Sequence, residues 1–160
     1  MTVRAIVDIL AANASRRDLV EDDGVDVIAP IPRDFLLDDG KPLGDGHVRL
    51  RRYGRPDGPV VAVAGGISSG RQVAGERGWW RGLIGVGAAV DLEEFCVFGF
   101  DFAPLDDVRV VLSPATQARL LALALDALGI ERVHAFIGAS YGGMVGLALA
   151  AADPERVERL

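Results

Sequence analysis

The sequence predicts a doubly wound α/β domain whose mostly parallel sheet is preceded by antiparallel strands. Three apolar runs, Val60–Ala64, 95–100 and 133–137, are rich in Val, Phe and Ile. Strands buried on both faces of a parallel sheet have this composition. Helical stretches at 113–128 and 142–152 alternate with the last two runs, the strand–helix order of a wound sheet. Ahead of them, residues 47–53 read His-Val-Arg-Leu-Arg-Arg-Tyr, an alternation that suits an antiparallel strand with one wet face.

Taken in order, residues 1–23 stand apart as an N-terminal extension, with Arg16, Arg17, Glu21, Asp22 and Asp23 in a polar stretch that a core would not hold. Residues 24–160 form the folded part. Val25–Ile31 alternates around Asp26, and Pro30, Pro32 and Asp38-Asp39-Gly40 punctuate the stretch up to residue 40. Gly44-Asp45-Gly46 turns the chain into the 47–53 strand. In the first long helix, Leu120, Leu121, Leu123, Ala124, Leu125 and Leu128 make an apolar stripe. Ser113 and Pro114 supply an N-cap and a first helical position, and Gly129 a stop. The second helix is almost wholly apolar and ends at Asp153-Pro154. Residues 157–160 begin another element, so the sheet is expected to be cut short after that helix.

Composition narrows the function. The 160 residues are half apolar, enough to fill a core, and carry 17 Lys+Arg against 23 Asp+Glu. A formal net charge of −6 argues against nucleic acid and anionic membranes as partners. No window is apolar enough for a transmembrane span, and Arg4 and Asp8 break any secretory pattern, which leaves the cytosol as the default compartment. One cysteine makes neither an internal disulfide nor a Cys-rich metal site.

The chemistry centres on Gly138-Ala139-Ser140-Tyr141-Gly142, a G-x-S-x-G pattern between a buried strand and an apolar helix. That setting is what a nucleophile elbow requires. Ser140 is held in a strained turn, Gly138 and Gly142 let strand and helix approach, and the helix N-terminus faces an oxyanion. The Tyr141 amide is the expected first oxyanion donor. The second is expected from the loop after Val60–Ala64, Gly65-Gly66-Ile67-Ser68-Ser69-Gly70, with the Ile67 amide as candidate. The same loop has the look of a phosphate cradle, but lacks the P-loop Lys and the three-glycine dinucleotide spacing.

A general base is missing. His134 lies early in the strand leading to Ser140, roughly 20 Å from it at about 3.3 Å per residue. It reads as a hydrogen-bonded histidine at the amino end of the sheet, and His47 as a solvated strand residue. The triad order of this fold places Asp or Glu and then His after the serine, hence beyond Leu160. Asp101 reads as a loop cap, Asp106-Asp107 as a solvated turn without metal partners, and Cys96 as a buried small apolar residue. Trp79-Trp80 suits cleft lining and core packing equally.

Gly78-Trp79-Trp80-Arg81-Gly82-Leu83-Ile84-Gly85, then Val90-Asp91, together with Leu128-Gly129-Ile130-Glu131-Arg132-Val133-His134-Ala135 and the elbow followed by Gly143-Met144, resembles the homoserine O-acyltransferases of the α/β-hydrolase superfamily. The likeness runs over about residues 48–160 and implies that residues 24–160 are the N-terminal half of an α/β-hydrolase domain. It implies acyl transfer from acetyl-CoA or succinyl-CoA to the hydroxyl of homoserine through an acyl-Ser140 intermediate, a step towards methionine. Acyl-CoA is then a substrate and no resident cofactor or metal is implied. Three departures stand out: Gly65-Gly66-Ile67-Ser68-Ser69 replaces a His-Ala-Leu-Thr-Gly type loop, Tyr141 replaces a Met, and the stretch from Asp101 to Ser113 is short where many members carry a long glycine-rich one. The donor, and homoserine against another hydroxy amino acid, stay open. So do two alternatives, a generic serine ester hydrolase and an inactive half-domain whose unpaired edge favours association, a homodimer included.

Overall fold

The computed structural model describes residues 24–103 and 112–160. The extension at 1–23 and the Asp106-Asp107 turn lie outside the described residues. The described residues form seven strands: β1 (Val25–Ile31), β2 (Gly46–Gly54), β3 (Val60–Ala64), β4 (Ile84–Gly85), β5 (Val90–Asp91), β6 (Cys96–Phe100) and β7 (Ala135–Gly138). Among the described residues two helices, α1 (Pro114–Ala127) and α2 (Tyr141–Ala152), are followed by a short 3-10 turn at Pro154–Arg156.

Five strands form one sheet in the order β1-β2-β6-β3-β7. β1 pairs with β2 and β2 with β6 antiparallel, whereas β3 runs parallel to both β6 and β7. The crossover sets β3 between β6 and β7, so the loop after β3 and the turn after β7 emerge together at the carboxyl edge. Sites in open α/β sheets gather there.

Burial follows the pleat. Ala62, Ala64, Phe98, Phe100 and Phe136 face α1 and α2, which contribute Leu120, Leu121, Ala124, Leu125, Val145 and Leu149 to one core. Val61, Val63 and Val97 point the other way, to Tyr53, Val73, Ile84 and the Trp79–Trp80 pair. On that second face the cover, among the described residues, is the segment 71–95 and not a helix. It includes the two-residue parallel pair of β4 and β5, which no sequence periodicity announces.

α1 starts and stops as its termini dictate. The Ser113 hydroxyl accepts the Thr116 N–H at 3.1 Å, and Pro114 occupies the first turn. At the other end, Gly129 N–H donates to Asp126 and Ile130 N–H to Leu125, the paired bonds of a Schellman stop with Gly129 at φ 71°.

Two strand boundaries move. Phe95 N–H turns back to the Asp91 carbonyl, so the strand expected at 95–100 begins at Cys96. Val133 makes only a parallel bridge to Val157, so the strand expected at 133–137 begins at Ala135 and runs on through Gly138. Residues 156–159 line up beside it: Val133 and Phe136 N–H donate to the Arg156 and Arg159 carbonyls, and Glu158 N–H to Val133.

Candidate active site

The elbow is built by close backbone approach. Ala139 N–H donates to the Ala64 carbonyl and Gly142 N–H to the Gly65 carbonyl at 2.8 Å, which ties the turn after β7 to the end of β3. A Cβ on Gly142 would sit 2.5 Å from the Ala64 carbonyl carbon and 2.6 Å from the Gly65 oxygen. One on Gly138 would sit 2.7 Å from the Gly143 Cα. Only glycine fits either position, because the obstructing atoms are backbone.

Ser140 occupies the apex with φ 54° and ψ −122°, and it alone among the described non-glycine residues has positive φ. A side chain in that region costs of order 1–3 kcal/mol and persists because the surrounding structure over-determines it. Ser140 is exposed. It stands at the N-cap of α2 without capping it, so its hydroxyl is not spent on a helix N–H. The first turn of α2 directs partial positive charge towards it.

The loop after β3 turns sharply, with Ser69 N–H donating to Gly66 at 2.8 Å, and this lifts Ile67 to 71% exposure. Among the described residues neither the Ile67 nor the Tyr141 amide N–H donates to a protein acceptor. Tyr141 turns its ring away from the apex. Its hydroxyl donates to the Leu112 carbonyl at 2.7 Å and its ring meets Phe102 edge to face, while burial pushes its phenol pKa up. The side chain therefore anchors the elbow to residues that precede α1 in the chain.

His134 lies at the opposite end of β7 from the elbow, and His47 lies on β2, which β6 and β3 separate from β7. His134 precedes β7 at its amino end, within reach of Arg159 and of Glu158 at 3.4 Å, and stacks on Phe95. His47, on β2, accepts from Arg49 Nε at 2.8 Å and is half-buried. Among the described residues no three His, Cys, Asp or Glu gather as a metal site, and no helix is long and apolar enough to cross a membrane.

Asp101 caps a loop, and does more. It is 8% exposed and accepts the Arg71 backbone N–H at 2.7 Å and its guanidinium at 2.6 Å. Trp79 and Trp80 stack with ring centroids 4.7 Å apart. The Trp79 indole N–H donates to the Gly70 carbonyl at 2.8 Å, so this residue supports the loop after β3. Sequence reasoning missed the Arg71 contacts, because its partners lie 30 and 45 residues away.

Comparison with known proteins agrees with the geometry. Residues 58–160 match the family described as alpha/beta hydrolase fold. A homoserine O-succinyltransferase of Xanthomonas campestris pv. campestris is 42% identical, over 73% of this chain and 34% of its own length. A homoserine O-acetyltransferase of Haloferax volcanii is 32% identical, over 88% of this chain and 40% of its own. The chain thus spans between a third and a half of the curated relatives it matches. In structure, a homoserine O-acetyltransferase from Bacillus anthracis superposes with a TM-score of 0.75 at 21% identity, covering 85% of this chain and 44% of that one. Esterase E22 gives 0.75 at 23%, covering 87% and 46%. At such identities the likeness is one of fold.

Proposed function

The chain belongs to the α/β-hydrolase fold family, and by sequence to its homoserine O-acyltransferases; from that premise we propose that Ser140 is the acyl-accepting nucleophile of an acyl-CoA:homoserine O-acyltransferase. The carrying observation is the elbow itself: an exposed, uncapped serine at positive φ, between β7 and α2, with the Ile67 and Tyr141 amides free of any acceptor among the described residues. In the first half-reaction Ser140 Oγ attacks the thioester carbonyl. The carbon–sulfur bond breaks, CoA leaves as the thiol with the serine's proton, and the acyl group stays as an ester. Negative charge on the carbonyl oxygen is met by the Ile67 and Tyr141 N–H groups; such a donor is worth about 2.7–4 kcal/mol. In the second half-reaction the homoserine hydroxyl attacks that ester, and its proton returns to Ser140 as the acylated product leaves.

Both attacks need a base to take the proton, and the two histidines of this chain are misplaced for it. We assign that role to an Asp and a His outside these 160 residues, following the chain order Ser, Asp, His. The test follows free thiol release from acetyl-CoA and from succinyl-CoA with homoserine present. It compares this chain with a version extended through the Asp and His, and each with its Ser140→Ala variant. Turnover is expected in the longer version alone and is lost on Ser140→Ala. Equal rates from the two versions, or turnover that survives Ser140→Ala, refutes the assignment. Thiol release that ignores homoserine identifies water as the acceptor and makes the protein a hydrolase.

A further inference from the structure

The geometry points to Arg71 as a positioning residue for the Ile67 amide: a clamp of Asp26, Arg71 and Asp101 fixes the base of the loop whose tip carries that donor. The inference rests on reading Ile67 as an oxyanion donor.

Arg71 follows that loop directly and touches three strands. Its Nε and Nη2 hold the Asp26 carboxylate of β1, both at 3.0 Å. Its Nη1 and backbone N–H take the two oxygens of Asp101, just past the end of β6. Its carbonyl accepts the Tyr53 hydroxyl of β2 at 3.3 Å. Gly99 lets this backbone lie on the sheet: a Cβ there would come within 2.7 Å of Val73 and closer still to the Arg71 oxygen. One planar guanidinium thus bridges two carboxylates with directed bonds, which an ammonium on a flexible stem cannot reproduce. A second support meets the loop one residue earlier, where the Trp79 indole N–H holds the Gly70 carbonyl and its ring closes on Gly65. The loop is therefore fixed at its base by ionic and indole contacts, while its Ile67 tip is open. An oxyanion donor works only when held at its distance before the reaction, and an error of about 1 Å can cost on the order of 100-fold in rate.

The variants are Arg71→Lys, which keeps the charge and loses the fork, and Asp26→Asn, which removes the charge and one acceptor oxygen of the half-exposed partner and keeps the experiment decisive where Arg71→Lys does not fold. Amide hydrogen exchange is measured on this chain. Turnover is measured in the extended version used to test the proposed function. Exchange at the Ser69 and Arg71 amides is expected to rise about 10-fold or more, with the Val61 and Val63 amides of β3 unchanged. The value of kcat is expected to fall about 10-fold while KM stays within about twofold, since a donor for the transition state is displaced and ground-state binding is not. Reverting position 71 to arginine restores the fork and recovers both. Unchanged loop exchange, a rise spread evenly over the sheet, or a loosened loop with unchanged kcat each overturns the clamp. If the unsubstituted protein transfers no acyl group, the function reading has failed and the exchange pattern alone decides the clamp.

Discussion

Gly142→Ala probes whether the elbow depends on backbone contact. The new Cβ would meet the Ala64 carbonyl carbon at 2.5 Å and the Gly65 oxygen at 2.6 Å, so strand and helix must part by about 1 Å to reach ordinary contact. Helix propensity favours alanine by about 1 kcal/mol. Overpacking opposes it by about 1–3 kcal/mol, and the upper end applies because neither obstructing group is a side chain that can turn aside. The 2.8 Å bond from Gly142 N–H to Gly65 stretches as well. A net loss of about 2 kcal/mol is expected in urea unfolding. Gly143→Ala is the control: its Cβ would find the Gly138 oxygen at 3.5 Å, ordinary contact, in the same helix. That variant should gain up to about 1 kcal/mol from propensity. If Gly142→Ala is as stable as Gly143→Ala, the close-approach reading is wrong.

Ser140→Gly should stabilise the fold by about 1–3 kcal/mol in thermal unfolding, because glycine adopts φ 54° freely, whereas Ser140→Ala should not; equal effects from the two would mean that the serine is unstrained. The hydrogen bonds from Arg71, with Arg51 nearby, hold the Asp26 carboxyl below its ordinary 3.8 against the opposing effect of burial. Its stabilisation is therefore complete above pH 3.8 and is lost as pH falls through the lowered native value. Asp26→Asn should flatten the acid limb of a stability–pH curve below pH 3.8 and leave its slope at neutral pH alone, and an unchanged acid limb would show that the pair adds nothing to stability. Burial pushes the Cys96 thiol up to about 11 at 2% exposure, so a thiol reagent at neutral pH should modify it only in denaturant. Rapid labelling of the folded chain would show that this strand opens.

Legibility tracks how local the determining physics is. β3 is readable because both faces of a central parallel strand want apolar side chains, and α1 because its cap, its first proline and its Gly129 stop act within one turn. Phe95 and Val133 look like strand residues by composition. They leave the ladder because Phe95 closes a turn onto Asp91 and Val133 finds its partner at Val157. A two-residue strand such as β4 has no period to read. The segment around it still declares itself through Gly78-Trp79-Trp80, where Gly78 has no room for a Cβ against Ala74.

The candidate site divides the same way. Gly138, Ser140 and Gly142 lie within five residues, so spacing alone exposes the elbow, and the structure adds the strain at Ser140 and the contacts that make both glycines necessary. The loop carrying Ile67 is readable as small and turn-forming, but the clamp that holds it is not. Asp26 and Asp101 become neighbours of Arg71 only after β1 and β6 have taken their places in the sheet. Their carboxylates look in sequence like any turn or strand aspartate. The geometry of the proposed nucleophile is thus encoded locally, and that of the proposed donor loop through long-range ion pairs. A substitution at Arg71 should therefore spare the elbow's own torsions while loosening the loop opposite it, which separates the two halves of the site experimentally.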